Sequence, residues 1–146
     1  MSTEEHKAIV RAYFALVDRL GAGEDIRGPT AEVVARDARH HLPGVPGSLD
    51  NDGFLQFLAA FAAGFPGFRH EIEDQLAEGD RVATRITWHG THTGSFQGLA
   101  PTGKPVQMGG LNVTRLAGGR VTEQWVQFDA LGLMQQLGAG PGQASP

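Results

Sequence analysis

The chain has 146 residues and no cysteine, and its 16 acidic and 12 basic side chains give a formal net charge of −4. This length is typical of one domain, and the lack of cysteine excludes disulfides, thiol nucleophiles and thiolate metal sites. No run of Lys or Arg supplies the positive surface that binds phosphates, so we expect no nucleic-acid partner. The apolar stretches are short and no signal-peptide pattern is present, so we expect a cytoplasmic protein that does not enter a membrane.

Three helices are predicted in the first half of the chain. Residues 4–20 carry apolar side chains at the three- and four-residue spacing of an amphipathic helix, which a glycine ends. A short second helix begins at Pro29 and is expected to break at a helix-to-loop corner that holds His40 and His41. A third helix follows the N-cap residues 50–52 and carries a stripe of phenylalanines before a glycine stops it.

Two β-hairpins are predicted in the second half of the chain. Residues 68–78 and 81–92 alternate between apolar and polar side chains and are joined by a short turn that contains a glycine. Residues 105–116 and 120–129 repeat this pattern around a Gly-Gly turn. The chain therefore predicts two antiparallel strand pairs after its helices.

Helices that precede hairpins indicate an α+β fold. We expect a curved antiparallel sheet of two hairpins that wraps over three N-terminal helices, followed by a short C-terminal helix. One domain is expected over residues 1–138. The remaining residues, 139–146, are expected to form a flexible tail, because they contain little apolar surface to bury.

The hairpin registers predict which side chains share a face. If Leu76 pairs with Val82, then His70 lies opposite Trp88 on an apolar face that meets the helices. If Leu116 pairs with Val121 in the second hairpin, polar groups and an indole share one face. The members of this predicted face are Met108, Asn112, Thr114, Glu123, Trp125, Gln127 and Asp129.

Several segments carry a family resemblance. Residues 79–85 (GDRVATR), 90–94 (GTHTG) and 101–104 (PTGK) resemble the SnoaL-like polyketide cyclase (ester cyclase) family. The C-terminal run 119–125 (GRVTEQW), followed by Asp129 and by the LGL and QQLG segments, is similar to the ending of the same family.

The resemblance implies a cone-shaped α+β fold shared with scytalone dehydratase and ketosteroid isomerase. It also implies a homo-oligomer, here a dimer, that associates through the outer face of the sheet. Well-studied members of the family close a ring by intramolecular aldol condensation without a metal or an organic cofactor. In those members an aspartate on the last strand acts as the acid and base, and Asp129 takes that position in this sequence.

Asp129 is therefore the candidate catalytic residue. An aldol closure needs a base that removes a carbon-bound proton and an acid that protonates the carbonyl oxygen. One buried carboxyl group can serve both purposes, because desolvation raises its pKa. The spacing alone is equally consistent with Asp129 capping the C-terminal helix.

The other candidates would contact the substrate. Trp125 can stack on a planar molecule or pack in the core, and Asn112 and Gln127 can donate to an enolate oxygen or to neighbouring backbone groups. Further candidates for the pocket, each with a structural alternative, are Tyr13, His41, Trp88, His92 and Met108. The six histidines include no helical metal-binding pair, so we expect no metal site and no cofactor.

These observations favour a cofactor-independent enzyme that transfers protons on a small hydrophobic carbonyl compound, most simply in an aldol cyclisation. In one alternative, the same pocket supports isomerisation, dehydration or epoxide opening, since one fold can carry many chemistries. In another, the domain binds a small apolar ligand or a partner without turnover. An exposed Asp129 would favour this last alternative.

Overall fold

The computed structural model describes residues 1–139, which form four helices and five strands. In chain order these are α1 (Thr3–Gly21), α2 (Arg27–Val33), β1 (Val34–His41), α3 (Asn51–Gly64), β2 (Arg69–Glu78), β3 (Arg81–Thr91), β4 (Pro105–Ala117), β5 (Arg120–Phe128) and α4 (Ala130–Gln136). The α+β class and both hairpins are confirmed. The predicted tail lies outside the described residues from residue 140 onward.

The five strands form one mixed sheet in the order β1-β5-β4-β3-β2. The hairpin strands pair antiparallel, as predicted, whereas β1 pairs with β5 in parallel. The prediction of a helix-to-loop corner at His40 and His41 is wrong, because both residues lie on β1. This strand depends on pairing with residues more than eighty positions later in the chain, and no local pattern indicates that contact.

Side-chain caps begin α1 and α3. The Ser2 hydroxyl accepts a hydrogen bond from the Glu5 backbone at 3.1 Å, and the Glu5 carboxylate accepts one from the Ser2 backbone at 3.2 Å. These two bonds satisfy donors that the first turn of α1 leaves free. Asp50 caps α3 through a 2.9 Å bond to the Gly53 backbone. No helix in the described residues has the length and apolar character needed to cross a bilayer.

The core lies between α1, α3 and the concave face of the sheet. Helix α1 contributes one buried stripe, which comprises Val10, Tyr13, Phe14 and Val17. The sheet contributes the inward-facing side chains of each strand, among them Val82, Ile86, Trp88 and Leu116. Burial of such a set supplies most of the free energy that holds the helices on the sheet.

The first hairpin has the predicted register at its open end only. His70 lies opposite Trp88 and Ile72 opposite Ile86, which confirms the inward-facing pairs. The register then shifts by one residue between Ile72 and Asp74, so Leu76 pairs with Ala83 rather than Val82. Leu76 consequently points outward and is 75% exposed.

The second hairpin also contains a one-residue register shift, and this shift changes which side chains face the core. Leu116 pairs with Val121 as predicted, but Arg115 then pairs with Glu123, so Thr122 is an extra residue on β5. The Thr122 hydroxyl donates to the Arg115 carbonyl at 3.1 Å within this bulge. A one-residue insertion moves all later side chains to the opposite face. Asn112 therefore opposes Val126, and the predicted shared face of Asn112 and Trp125 is wrong.

Candidate functional site

The helices and the concave face of the sheet enclose a narrow cavity of about 70 Å³. Its wall is mainly aromatic and aliphatic. The apolar lining comprises Phe14, Val17, Leu42, Phe54, Phe57, Leu58, Phe61, Phe68, Ile86, Trp88, Met108, Val126 and Phe128. Four polar residues, Tyr13, His70, Asn112 and Gln124, complete the wall. An apolar chamber with a few convergent polar groups is the usual form of a small-molecule site.

Three partly exposed phenylalanines lie close together in the wall of this cavity. Phe57 and Phe61 of α3 and Phe128 of β5 line the cavity, and all three are only partly buried. Their ring centroids lie 5.3 Å (Phe57–Phe61), 5.8 Å (Phe61–Phe128) and 6.3 Å (Phe57–Phe128) apart. We call these three residues the aromatic mouth.

A buried hydrogen-bond network centres on Gln124. Its side-chain nitrogen donates to the Tyr13 oxygen at 2.8 Å and to His40 Nδ1 at 2.7 Å. Its side-chain oxygen accepts from the Asn112 amide at 2.9 Å, and the Tyr13 hydroxyl lies 3.1 Å from the same oxygen. Thr114 donates to the Asn112 oxygen at 3.0 Å. The network therefore joins α1, β1, β4 and β5 at one wall of the cavity.

His40 extends the network away from the cavity. Its Nε2 lies 2.7 Å from the Asn51 side-chain oxygen, and Asn51 in turn donates to the Ala35 carbonyl at 2.9 Å. Since the Gln124 nitrogen can only donate, His40 Nδ1 accepts and Nε2 carries the proton. Burial lowers the pKa of His40, while the hydrogen bond to Asn51 acts in the opposite direction. His40 is accordingly neutral near pH 7 and fixes the orientation of the Gln124 amide.

Two groups of the network keep hydrogen-bonding capacity for a ligand. The Tyr13 oxygen accepts from Gln124 Nε2 at 2.8 Å and donates to Gln124 Oε1 at 3.1 Å, and rotation of the hydroxyl can redirect that proton to an oxygen in the cavity. The Asn112 nitrogen uses one of its two protons on Gln124, and no second acceptor is present in the described residues. Burial raises the pKa of Tyr13 above the usual value of a phenol, so the group keeps its proton throughout the physiological pH range.

A second polar feature joins α1 to β2. The Asp18 carboxylate accepts from the His70 backbone at 3.0 Å and 3.2 Å, and His70 Nδ1 lies 2.7 Å from the same carboxylate. The imidazole also packs against Phe14 and Phe68, at centroid distances of 5.2 Å and 5.9 Å. His70 is therefore a cavity residue with a firmly held ring.

Four of the predicted site residues line the cavity, namely Tyr13, Trp88, Met108 and Asn112. Trp125, Gln127 and His41 do not, because β5 is shifted by the Thr122 bulge and β1 directs His41 outward. On the outer face the His41 and Trp125 rings stack at 5.3 Å.

Glu123 holds the outer-face cluster together. It lies 2.7 Å from His41 Nε2 and accepts from Arg115 at 3.0 Å. The hydrogen bonds from His41 and then Arg115 lower the pKa of Glu123. The guanidinium carbon of Arg81 lies 5.5 Å from the centroid of the Trp125 ring. These contacts give Trp125 and His41 an outward-facing packing role.

His92 is buried away from the cavity. Its Nδ1 accepts from the Thr102 backbone at 3.2 Å, and its ring lies 5.3 Å from Phe65. Its Nε2 is buried without a hydrogen-bond partner in the described residues. Within those residues, no three histidine or carboxylate side chains converge on a common metal position.

Asp129 lies at the surface, where β5 ends and α4 begins. Its carboxylate accepts from the Gly132 backbone at 2.9 Å and so caps α4. Its side chain is exposed and does not line the cavity. Of the two roles that its spacing allowed, the structure shows the helix cap.

Sequence reasoning missed two polar residues of the cavity wall. A regular alternation along β5 would place Gln124 on the face opposite Asn112, and the bulge at Thr122 reverses that alternation. His70 was placed on the correct face but treated as packing. The signal that identifies it is Asp18, which lies 52 residues earlier and meets it only in the folded chain.

Solved structures of similar proteins share this architecture. IdmH, a candidate polyketide cyclase from Streptomyces antibioticus, is 33% identical, with 91% of this chain and 98% of that chain covered and a TM-score of 0.78. AclR, a candidate hydroxylase from Streptomyces galilaeus, is 27% identical, with 99% and 87% covered and a TM-score of 0.80. A candidate SnoaL-like polyketide cyclase from Jannaschia sp. CCS1 shares the fold, at 24% identity, 95% coverage of both chains and a TM-score of 0.82.

No curated protein sequence matches the chain. The family model of the SnoaL-like polyketide cyclases matches residues 23–137, which include the cavity wall from Leu42 to Phe128. The protein belongs to the SnoaL-like polyketide cyclase family.

Proposed function

We propose that this protein binds a small, largely apolar carbonyl compound in the central cavity and transforms it by proton transfer without a cofactor. The reaction that we propose is the intramolecular aldol cyclisation of a polyketide-like substrate. The observation that carries this proposal is the buried phenol and amide network that ends at an otherwise apolar chamber. Isolated polar groups in such a chamber are costly unless they are paired or serve a ligand.

The network supplies donors where negative charge develops. Removal of a proton next to a carbonyl group produces an enolate, and its oxygen is stabilised by preorganised hydrogen-bond donors in a dry site. The second Asn112 proton can be donated to that oxygen, and the Tyr13 hydroxyl can turn its proton from Gln124 Oε1 to the same oxygen. Gln124 and His40 hold both groups in place, so little reorganisation is needed when the charge forms.

The size of the cavity bears on how a substrate enters. Sites for drug-sized ligands enclose roughly 300–1,000 Å³, far more than the cavity of about 70 Å³ seen here. The aromatic mouth can widen by rotation of its partly exposed rings without breaking a hydrogen bond of the Gln124 network. We therefore propose that binding opens the space between α3 and β5.

The similar structures support this assignment at the level of substrate class. IdmH is described as a candidate polyketide cyclase, and the match to the family model spans the cavity residues of β2 to β5. The exposure of Asp129 favours the second candidate function, ligand binding without turnover. A test must therefore measure binding and turnover separately.

The first prediction compares donor variants in the cavity. Polyketide-like β-diketo esters with an aromatic ring should raise the melting temperature of the wild-type protein, because they bind only the folded state. Tyr13→Phe should bind these compounds with little change but cyclise them about 10–10³ times more slowly, since one oxyanion donor is lost. Gln127→Ala, on the exposed outer face, serves as the matched control.

Product formation is followed by chromatography and mass spectrometry. Binding of the esters with no cyclised product from the wild type would favour the binding alternative. Full activity of Tyr13→Phe would contradict the role of the network.

A further inference from the structure

The pair formed by His70 and Asp18 has the geometry of an oriented acid/base group at the cavity wall. We propose that His70 removes the carbon-bound proton of the substrate and returns it, with Asp18 as the residue that positions it. This inference rests on the proposed function, because it names the proton carrier for that reaction. It replaces Asp129 as the candidate base, since Asp129 lies outside the cavity.

The hydrogen bonds fix which nitrogen of His70 carries a proton. An ionised carboxylate can only accept, so His70 Nδ1, 2.7 Å from Asp18, is the protonated nitrogen of the neutral ring. Nε2 then carries the lone pair. It has no hydrogen-bond partner in the described residues, and it is not completely buried. A free basic nitrogen thus belongs to a residue of the cavity wall.

The carboxylate also fixes the position of the ring. The backbone N–H of His70 donates to both Asp18 oxygens, so the same carboxylate binds the main chain and the side chain of His70. Phe14 and Phe68 confine the ring on its other sides. A carboxylate that orients an imidazole base in this way also stabilises the imidazolium that forms when the base takes a proton.

The proposed steps balance without any additional reagent. His70 Nε2 takes the proton from the carbon beside one carbonyl group, and the electron pair of that bond moves into the enolate. The enolate carbon attacks the second carbonyl carbon, so one carbon–carbon bond forms and the carbonyl π bond breaks. The resulting alkoxide takes the proton back from His70, which restores the neutral ring.

The structural alternative is that the pair only ties α1 to β2. A matched control for this alternative exists on the outer face, where His89 Nε2 lies 3.1 Å from Glu71. That pair joins His89 of β3 to Glu71 of β2, and neither residue lines the cavity. Variants of the two pairs therefore separate a role in the cavity from a general role in stability.

Two reactions test the proposal. The first is cyclisation of the β-diketo esters, and the second is exchange of the α-protons of an aryl ketone in D₂O, followed by NMR, which needs only the base. We expect His70→Gln to lower the rate constant of both by about 10²–10⁴ while the ligand-induced rise in melting temperature persists. His89→Gln should leave both rates unchanged.

Asp18→Asn tests positioning through a spectroscopic readout. Nitrogen-15 NMR should show His70 protonated at Nδ1 in the wild type and a mixture of the two tautomers in the variant, with kcat reduced more than KM is raised. A role in stability alone would lower the melting temperature of Asp18→Asn but leave kcat of the folded enzyme unchanged.

The outcomes distinguish the two proposals. Exchange that depends on His70 without cyclisation would support His70 as the base and overturn the aldol reaction. Cyclisation at the wild-type rate by folded His70→Gln would overturn the role of His70 and leave the proposed function standing. The absence of both reactions in the wild type would overturn both.

Discussion

Gln124 is the residue through which the polar wall of the cavity is connected. One amide group contacts Tyr13, His40 and Asn112, which come from three different elements. Because a primary amide offers both donors and an acceptor, it can satisfy a phenol, an imidazole and a second amide at once. A side chain with fewer hydrogen-bond donors and acceptors would leave one of these buried groups unpaired, at a cost of about 1–3 kcal/mol.

Substitutions of Asp129 test its role as the cap of α4. Since its carboxylate accepts from the Gly132 backbone, we expect Asp129→Asn to keep the cap and most of the stability. Asp129→Ala should lower the free energy of unfolding by about 1 kcal/mol, measured by urea denaturation. Both variants should retain turnover, because Asp129 lies outside the cavity.

A strong loss of turnover in Asp129→Asn at unchanged stability would contradict the cap as its main role. It would return Asp129 to the position of acid/base residue that the family resemblance implies. Turnover and denaturation are therefore measured on the same preparations.

The sequence predicts side chains of the cavity only where the local pattern is regular. Tyr13 follows the helical repeat of α1, and Trp88 and Met108 follow the alternation of β3 and β4, and all three line the cavity. Trp125 does not, because a single inserted residue in β5 reverses the alternation. The position of a bulge depends on the partner strand and cannot be read from β5 alone.

The elements themselves follow from short-range signals. The N-caps of α1 and α3 and the glycine turns between the hairpin strands are all local, and Gly118 and Gly119 adopt the positive φ angles of 58° and 78° that a tight hairpin turn requires. Strand β1 was missed because it is defined by its parallel pairing with β5, and its sequence has no strong preference for a strand.

Helix α3 provides a prediction about access to the cavity. Phe57 is the mouth residue whose aromatic contacts are confined to Phe61 and Phe128, so its removal should open the entrance with limited damage to the core. We expect Phe57→Ala to increase the association rate of a planar fluorescent ligand by about tenfold, a change of roughly 1.4 kcal/mol in the barrier. Stopped-flow fluorescence measures this rate.

Leu55→Ala is the matched control for Phe57→Ala. Leu55 lies on the same helix but lines a different groove, beside Arg36 and Arg120, so its loss should not change ligand entry. An unchanged rate in Phe57→Ala, with the fold intact, would mean that ligands enter by another route.

The outer face of the sheet carries a row of apolar side chains that crosses four strands. The observed registers align Leu76, Ala83, Val113 and Trp125 in one row across β2, β3, β4 and β5. Next to this row lies Leu111, which is 58% exposed. Arg85 pairs with Leu111 in register, and Arg81 with Arg115, so charged residues border the apolar row on both sides.

This arrangement favours a dimer through the outer face. An apolar row with charged borders can meet a copy of itself around a two-fold axis, which buries the leucines and leaves the arginines and acidic residues at the rim. We expect a dimer in light scattering at micromolar concentration. Leu111→Asp should shift the protein to a monomer, because it replaces an exposed leucine beside the apolar row with a carboxylate that the dimer would desolvate.

Leu131→Asp provides the control, since Leu131 is 52% exposed but belongs to helix α4 and not to a strand of the sheet. It adds the same charge to a comparable leucine and should leave the dimer intact. If the wild type is a monomer at the highest concentration measured, the apolar row does not serve self-association. If Leu131→Asp dissociates the dimer and Leu111→Asp does not, the interface lies at the C-terminal helix, and the face of the sheet is free.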